Sequence, residues 1–205
     1  MAENLVIRLT EHDTDTVEWM LTDDSGARQG APVRGTLRAA ADAAGGRQIS
    51  VLLPASEILL TSADIPAKGA RLLQALPFAL EEQLADDVDK LHFAAGTRRS
   101  SGRTPVAVIR RDQLQDFLDK LDEAGIKPSG IYAETQGLAR IPGTISLLID
   151  GDNLLLNDGA DVELAMQQIS PGDALVAIGA LDDHAVGAES DDDTEGTPLP
   201  SHVLV

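Results

Sequence analysis

Two groups of short strand-like runs separated by turns, one near each end of the chain, constrain the fold most. Near the start, Leu5, Ile7 and Leu9 fall at every second position, and 16–21 is a second run that closes on the turn Asp23-Asp24-Ser25-Gly26. Period-two alternation marks half-buried strands, so the chain opens as a β-hairpin or meander. Residues 144–149, 154–156 and 162–166 repeat the arrangement, with Asp150-Gly151 and Asn157-Asp158-Gly159 as turns. Between them the periodicity becomes helical. Meander, mixed elements, then meander again predicts an α/β protein with two related lobes.

The middle supplies the helices. Residues 35–44 are Ala-rich and stop at Gly45-Gly46, a helix with a glycine terminator. Residues 49–53 and 57–65 read as strands closed by Pro54 and Pro66. Leu72, Leu76, Leu80 and Leu84 recur at four-residue steps, predicting a helix over 68–86 with Pro77 inside it. Residues 91–95 and 105–109 form two strands. Leu114, Phe117, Leu118 and Leu121 make an apolar stripe over 112–124, with Asp112 as the expected cap and Gln115 three residues on. A short strand at Ile131-Tyr132, a short helix over 133–139 and an apolar run at 175–181 follow. Residues 182–201 read as an acidic loop.

Composition removes several function classes. Aromatics are 2% of the 205 residues, too few for a base-stacking platform, and the net charge of −18 repels a phosphate backbone and anionic lipid. Nucleic acid is not an expected partner, whereas a basic protein surface is acceptable. There are no cysteines, so thiolate chemistry is absent. No run approaches the roughly 20 apolar residues of a transmembrane helix.

Motifs for catalysis and cofactors are missing. No phosphate-binding glycine loop, dinucleotide fingerprint or G-x-S-x-G elbow occurs, and His12, His92, His184 and His202 show no ligand spacing. Asp191, Asp193, Glu195 and Gly196 match the first half of a calcium loop, but His202 stands where a bidentate Glu belongs. The expectation is no catalytic residue, no metal and no cofactor. In so acidic a chain, Arg98, Arg99, Arg103, Arg110 and Arg111 stand out as a candidate basic surface for an acidic partner.

One stretch is specific enough to suggest kin. Leu53-Pro54-Ala55-Ser56, Ile65-Pro66, the helix Ala75-Leu76-Pro77-Phe78-Ala79-Leu80-Glu81-Glu82-Gln83-Leu84, and Leu91-His92-Phe93 together resemble the L component of the type II (general) secretion pathway. Tyr132 to Leu138 and Ile145 to Gly151 are similar to that family's entry into its second lobe. The resemblance implies an actin-like, ribonuclease H-related fold: a first lobe at 1–140 with an inserted α/β subdomain at about 90–133, and the start of a second lobe at 141–205. It also implies a single transmembrane anchor outside this sequence and a place on the cytoplasmic face of the bacterial inner membrane. The implied role is recruitment of the secretion ATPase (the E component), alongside platform components M, C and F; self-association as a homodimer stays open.

Nucleotide-binding members of the actin-like class begin each lobe with an Asp-x-Gly turn. Here the first strand runs Ile7-Arg8-Leu9-Thr10, without acid or glycine, and the second offers Asp150-Gly151-Asp152 with the glycine displaced. A phosphate cradle without those glycines puts side chains against the anion, so ATP binding is not expected. The alternative is an actin-like nucleotide-binding protein related to the type IV pilus assembly component.

Overall fold

A computed structural model describes residues 3–10, 16–99, 101–160, 162–181 and the backbone of 203–204. The chain divides into two compact units, 1–133 and 134–205.

The first unit is built on a five-stranded sheet. β1 (Asn4–Arg8), β2 (Thr16–Thr22) and β3 (Arg28–Thr36) form an antiparallel meander. β4 (Gln48–Leu53) joins β1 in parallel and β8 (Gly130–Ala133) joins β4 in parallel, giving the order β3-β2-β1-β4-β8. Leu5 and Ile7 are fully buried and sit in register with Ile49 and Val51. α1 (Leu37–Ala44) and α3 (Arg111–Glu123) pack on the face these residues present, adding Leu37, Ala40, Phe117 and Leu121 to one core. Thr36 caps α1, its Oγ1 accepting from the Ala39 N–H at 3.2 Å, and Gly45 at φ 53° ends the helix in the left-handed region, which glycine tolerates best.

β3 has no counterpart in the alternation reading. Its nine residues are exposed or half-buried and include Pro32. An edge strand without a buried face carries no period-two signal, and an edge is where a sheet tolerates proline. Asp112 also departs from expectation: it lies inside the first turn of α3, whose cap position, Arg110, makes no side-chain capping bond.

Inserted between β4 and β8 is a three-stranded antiparallel sheet of order β5-β7-β6, made of β5 (Leu59–Ala63), β6 (Leu91–Ala95) and β7 (Thr104–Arg110). This sheet begins ahead of 90 and ends at 110, whereas the sequence expectation put the insertion at about 90–133. The α2 helix (Ala70–Leu80) buries Leu72, Leu76 and Leu80 against Ala63, Leu91, Val106 and Val108. It stops six residues short of the expected 86. Glu81–Gln83 tighten into a 3₁₀ turn, and Leu84 reaches the same core from beyond it. Acidic side chains at a helix C-terminus oppose its dipole, and Pro77 removes one backbone bond in the last turns.

The second unit holds β9 (Ile145–Asp150), β10 (Asn153–Asn157) and β11 (Glu163–Gln167) as an antiparallel meander, with the short β12 (Val203–Leu204) parallel to β9. Asp150 pairs with Asn153, so the hairpin turns on Gly151 and Asp152, and Gly151 sits at φ 60°. The 3₁₀ turn Glu134–Gly137 packs on β10 and β11, which puts the division of units ahead of the expected 140/141. The apolar run at 175–181 starts inside a helix, which covers its first three residues, and continues as a turn. α4 (Pro171–Ala177) is capped by Ser170, whose Oγ accepts from the Asp173 N–H at 3.1 Å, with Pro171 in its first turn. Short apolar runs do not separate strand from helix by periodicity alone. The acidic loop at 182–201 and the half calcium-loop at 191–202 lie outside the described residues.

Replacing the fully buried Leu76 by Ala is expected to lower unfolding stability by about 2–5 kcal/mol. Phe78→Ser, two residues away on an exposed position, is expected to change it by no more than about 0.5 kcal/mol. Urea unfolding of the two variants checks the contrast.

Candidate partner-docking site

The positions that would carry a nucleotide in an actin-like protein are committed otherwise. At the end of β1, Arg8 faces Glu18 across the sheet, its Nη1 3.6 Å from Oε2. Asp150 and Gly151 serve the β9–β10 hairpin. Among the described residues no group of three or more His, Asp or Glu converges as a metal site.

Of the five arginines expected as one basic surface, the structure makes two groups. Arg98, Arg99 and Arg103 lie in the β6–β7 connection, whose turn is closed by the Gly102 N–H on the Arg99 carbonyl at 3.0 Å and the Arg99 N–H on the Arg103 carbonyl at 2.8 Å. Arg110 and Arg111 stand at the far end of β7, a seven-residue strand of about 23 Å.

Most of these guanidinium groups are already engaged. Arg98 donates to the Ile65 carbonyl at 3.0 Å and to Asp64 Oδ1 at 3.1 Å. Arg103 donates to the Ser62 hydroxyl at 2.7 Å and carbonyl at 2.9 Å. Both tie the connection to the end of β5. Arg110 forks onto Asp112, Nε to Oδ1 at 3.1 Å and Nη2 to Oδ2 at 2.5 Å, and Asp112 also accepts from the Gln113 N–H at 2.8 Å. The Arg110 bonds, then that backbone bond, lower the Asp112 pKa to about 2. The same contact raises the pKa of Arg110, with Asp86 and Glu57 adding to it. Gln113 donates to Glu57, linking α3 to the 3₁₀ turn Ala55–Glu57. Arg111 is exposed and forms no ion pair among the described residues.

The feature that sequence reading missed is on α2. Phe78 is 79% exposed, the most exposed large apolar side chain among the described residues. The signal for it was available. Phe78 lies two residues from both Leu76 and Leu80, about 200° around the helix from each, so a buried Leu72–Leu76–Leu80 stripe forces it outward.

The model of the family described as type II secretion system (T2SS), protein L, matches residues 5–184. The chain belongs to this family. Type II secretion system protein L of Dickeya chrysanthemi is 29% identical over 142 residues, 67% of this chain and 35% of its own length. That of Pseudomonas aeruginosa is 37% identical over 97 residues, 47% of this chain and 25% of its own length. The chain therefore spans about a third of the length of such protein L relatives. Among solved structures, the cytoplasmic domain of EpsL, an inner-membrane component of the type II secretion system of Vibrio cholerae, aligns with a TM-score of 0.70 at 23% identity, covering 100% of this chain and 86% of that one. A PilM–PilN type IV pilus biogenesis complex aligns with a TM-score of 0.53 at 16% identity over 86% of this chain and 64% of that one. These likenesses concern the fold, which is actin-like: the five-stranded sheet of this chain's first unit has the ribonuclease H-like order of three antiparallel strands followed by two parallel ones.

The Arg110–Asp112 fork has a direct readout. NMR titration of the Asp112 carboxyl should give a midpoint near the depressed value of about 2, and Arg110→Ala should move it up toward the ordinary carboxylate range. A depressed carboxylate stabilises the fold above its unfolded-state pKa and loses that contribution as pH falls through the folded one. The fork is therefore intact at neutral pH and opens only in strong acid.

Proposed function

We propose that this chain is a non-catalytic adaptor of the type II secretion system. It recruits the secretion ATPase to the cytoplasmic face of the inner membrane and couples it to pseudopilus assembly and protein export, alongside components M, C and F. The observation that carries the reading is family membership on an actin-like scaffold whose first strand ends in Ile7-Arg8-Leu9-Thr10, with no Asp-x-Gly turn for phosphate. The EpsL relative is described as the cytoplasmic domain of an inner-membrane component, which supports the placement. No described helix is long and apolar enough to cross a membrane.

Docking to the ATPase falls on the inserted subdomain and α3. Arg111 and the Arg110–Asp112 fork at the start of α3 offer exposed charge to an acidic partner surface.

Mixed with its cognate secretion ATPase, the purified protein should co-elute on gel filtration. The double reversal Arg110→Glu, Arg111→Glu should weaken binding roughly tenfold and flatten its salt dependence, as expected for charges that act mainly on encounter. Unchanged affinity would move the docking surface elsewhere. Calorimetry with ATP and magnesium should give no binding heat; saturable heat would favour the actin-like nucleotide-binding alternative.

A further inference from the structure

Phe78 points into water on a helix that has no need of it there. The buried stripe of α2 is complete with Leu72, Leu76 and Leu80. At the margin of the helix, Leu73, also exposed, and the half-buried Pro77 form an apolar ridge at i, i+4 spacing. The chain has only five aromatic residues, and the one phenylalanine placed outward stands 79% exposed. A single large apolar side chain ringed by polar ones is the usual form of an anchor for a partner's pocket.

The residues that follow it are acidic. Glu81 and Glu82 follow by three and four residues, on the turn next to Phe78, and Asp86, Asp87 and Asp89 come after them. All five are exposed. Asp87 pairs with Lys90 at 2.8 Å and Asp86 lies within electrostatic reach of Lys90 and Arg110, whereas Glu81 and Glu82 form no ion pair among the described residues. On the helix itself, Arg71 is two turns back from Phe78, about 10 Å along the axis.

We propose that Phe78 with its acidic collar is an interaction surface for a protein segment that is basic and apolar: an apolar pocket or groove rimmed by lysines and arginines. Charge decides against a second copy of the chain, which carries −18 overall and has its Arg98, Arg103 and Arg110 engaged internally. The surface is centred on Phe78, Glu81 and Glu82 and calls for a basic partner segment, whereas the exposed Arg111 calls for an acidic one.

The test places the photoreactive p-benzoylphenylalanine at position 78 of the full-length protein in cells that carry the complete secretion system. Irradiation should give a cross-link to a different protein, and mass spectrometry should locate it in a segment with net positive charge. Adding Glu81→Lys and Glu82→Lys should lower the cross-link yield roughly tenfold at equal protein level, because reversed charge repels the basic rim. The purified double variant should unfold at the same temperature as its parent. Four results would overturn the proposal: no cross-link, a product within the same chain or between two copies, a cross-linked segment that is acidic or uncharged, or a yield indifferent to the charge reversal.

Discussion

The register of β1 against β4 holds the first unit together. Leu5 opposite Ile49 and Ile7 opposite Val51 place four apolar residues on one face of the sheet, where α1 and α3 cover them. A slip of one residue would turn Leu5 and Ile7 to the other face and bring Val6 and Arg8 inward. Arg8 could not follow without leaving Glu18. Strand order depends on this too: a parallel neighbour for β1 must arrive by a crossover, and α1 is that crossover. α3 and β8 then add to the same layer, and the three-stranded insertion is exported between β4 and α3.

That insertion has its own core, and this frees the surfaces around it. Leu72, Leu76 and Leu80 close against Ala63, Leu91, Val106 and Val108 without drawing on the residues that line the five-stranded sheet. Its link to the main sheet runs through β7 into α3, where Ile109, Phe117 and Leu121 belong to the main core. The outer face of α2 is thus under little structural constraint, and a phenylalanine placed there has its cause in something other than folding.

Legibility from sequence followed burial. β1, β2, β9, β10 and α3 were readable because each alternates or repeats against a core, and the resemblance in 75–84 led to the family. Where no face is buried, the pattern has nothing to record: β3, with Pro32 and Gly30 on an edge, passes as a loop. The run at 175–181 is apolar without a period that assigns it to an element. Leu175, Val176 and Ile178 are apolar enough for either element, and the choice was made upstream, by Ser170, Pro171 and Asp173 at a helix start. The arginines were found as residues but not as an arrangement. Sequence spacing of Arg103 and Arg110 suggests neighbours, whereas an extended strand of seven residues separates them by about two helix diameters.

Internal pairing also changes what the net charge means for partners. Arg98 and Arg110 each spend their charge on a carboxylate of the same unit, Asp64 and Asp112, and Arg47 does so with Glu3. An arginine satisfied in this way contributes little free positive field, so the effective surface is more uniformly acidic than the residue count suggests. The carboxylates left over, Glu81, Glu82, Asp86 and Asp89, follow the outward Phe78 in sequence. Repulsion across so many like charges disfavours close association of two copies and leaves long-range attraction available to a cationic partner. The fold therefore uses most of the arginines of its inserted sheet to fix its own loops and helix ends, and what it leaves outward for other proteins is the exposed Arg111 and an apolar side chain followed by acids.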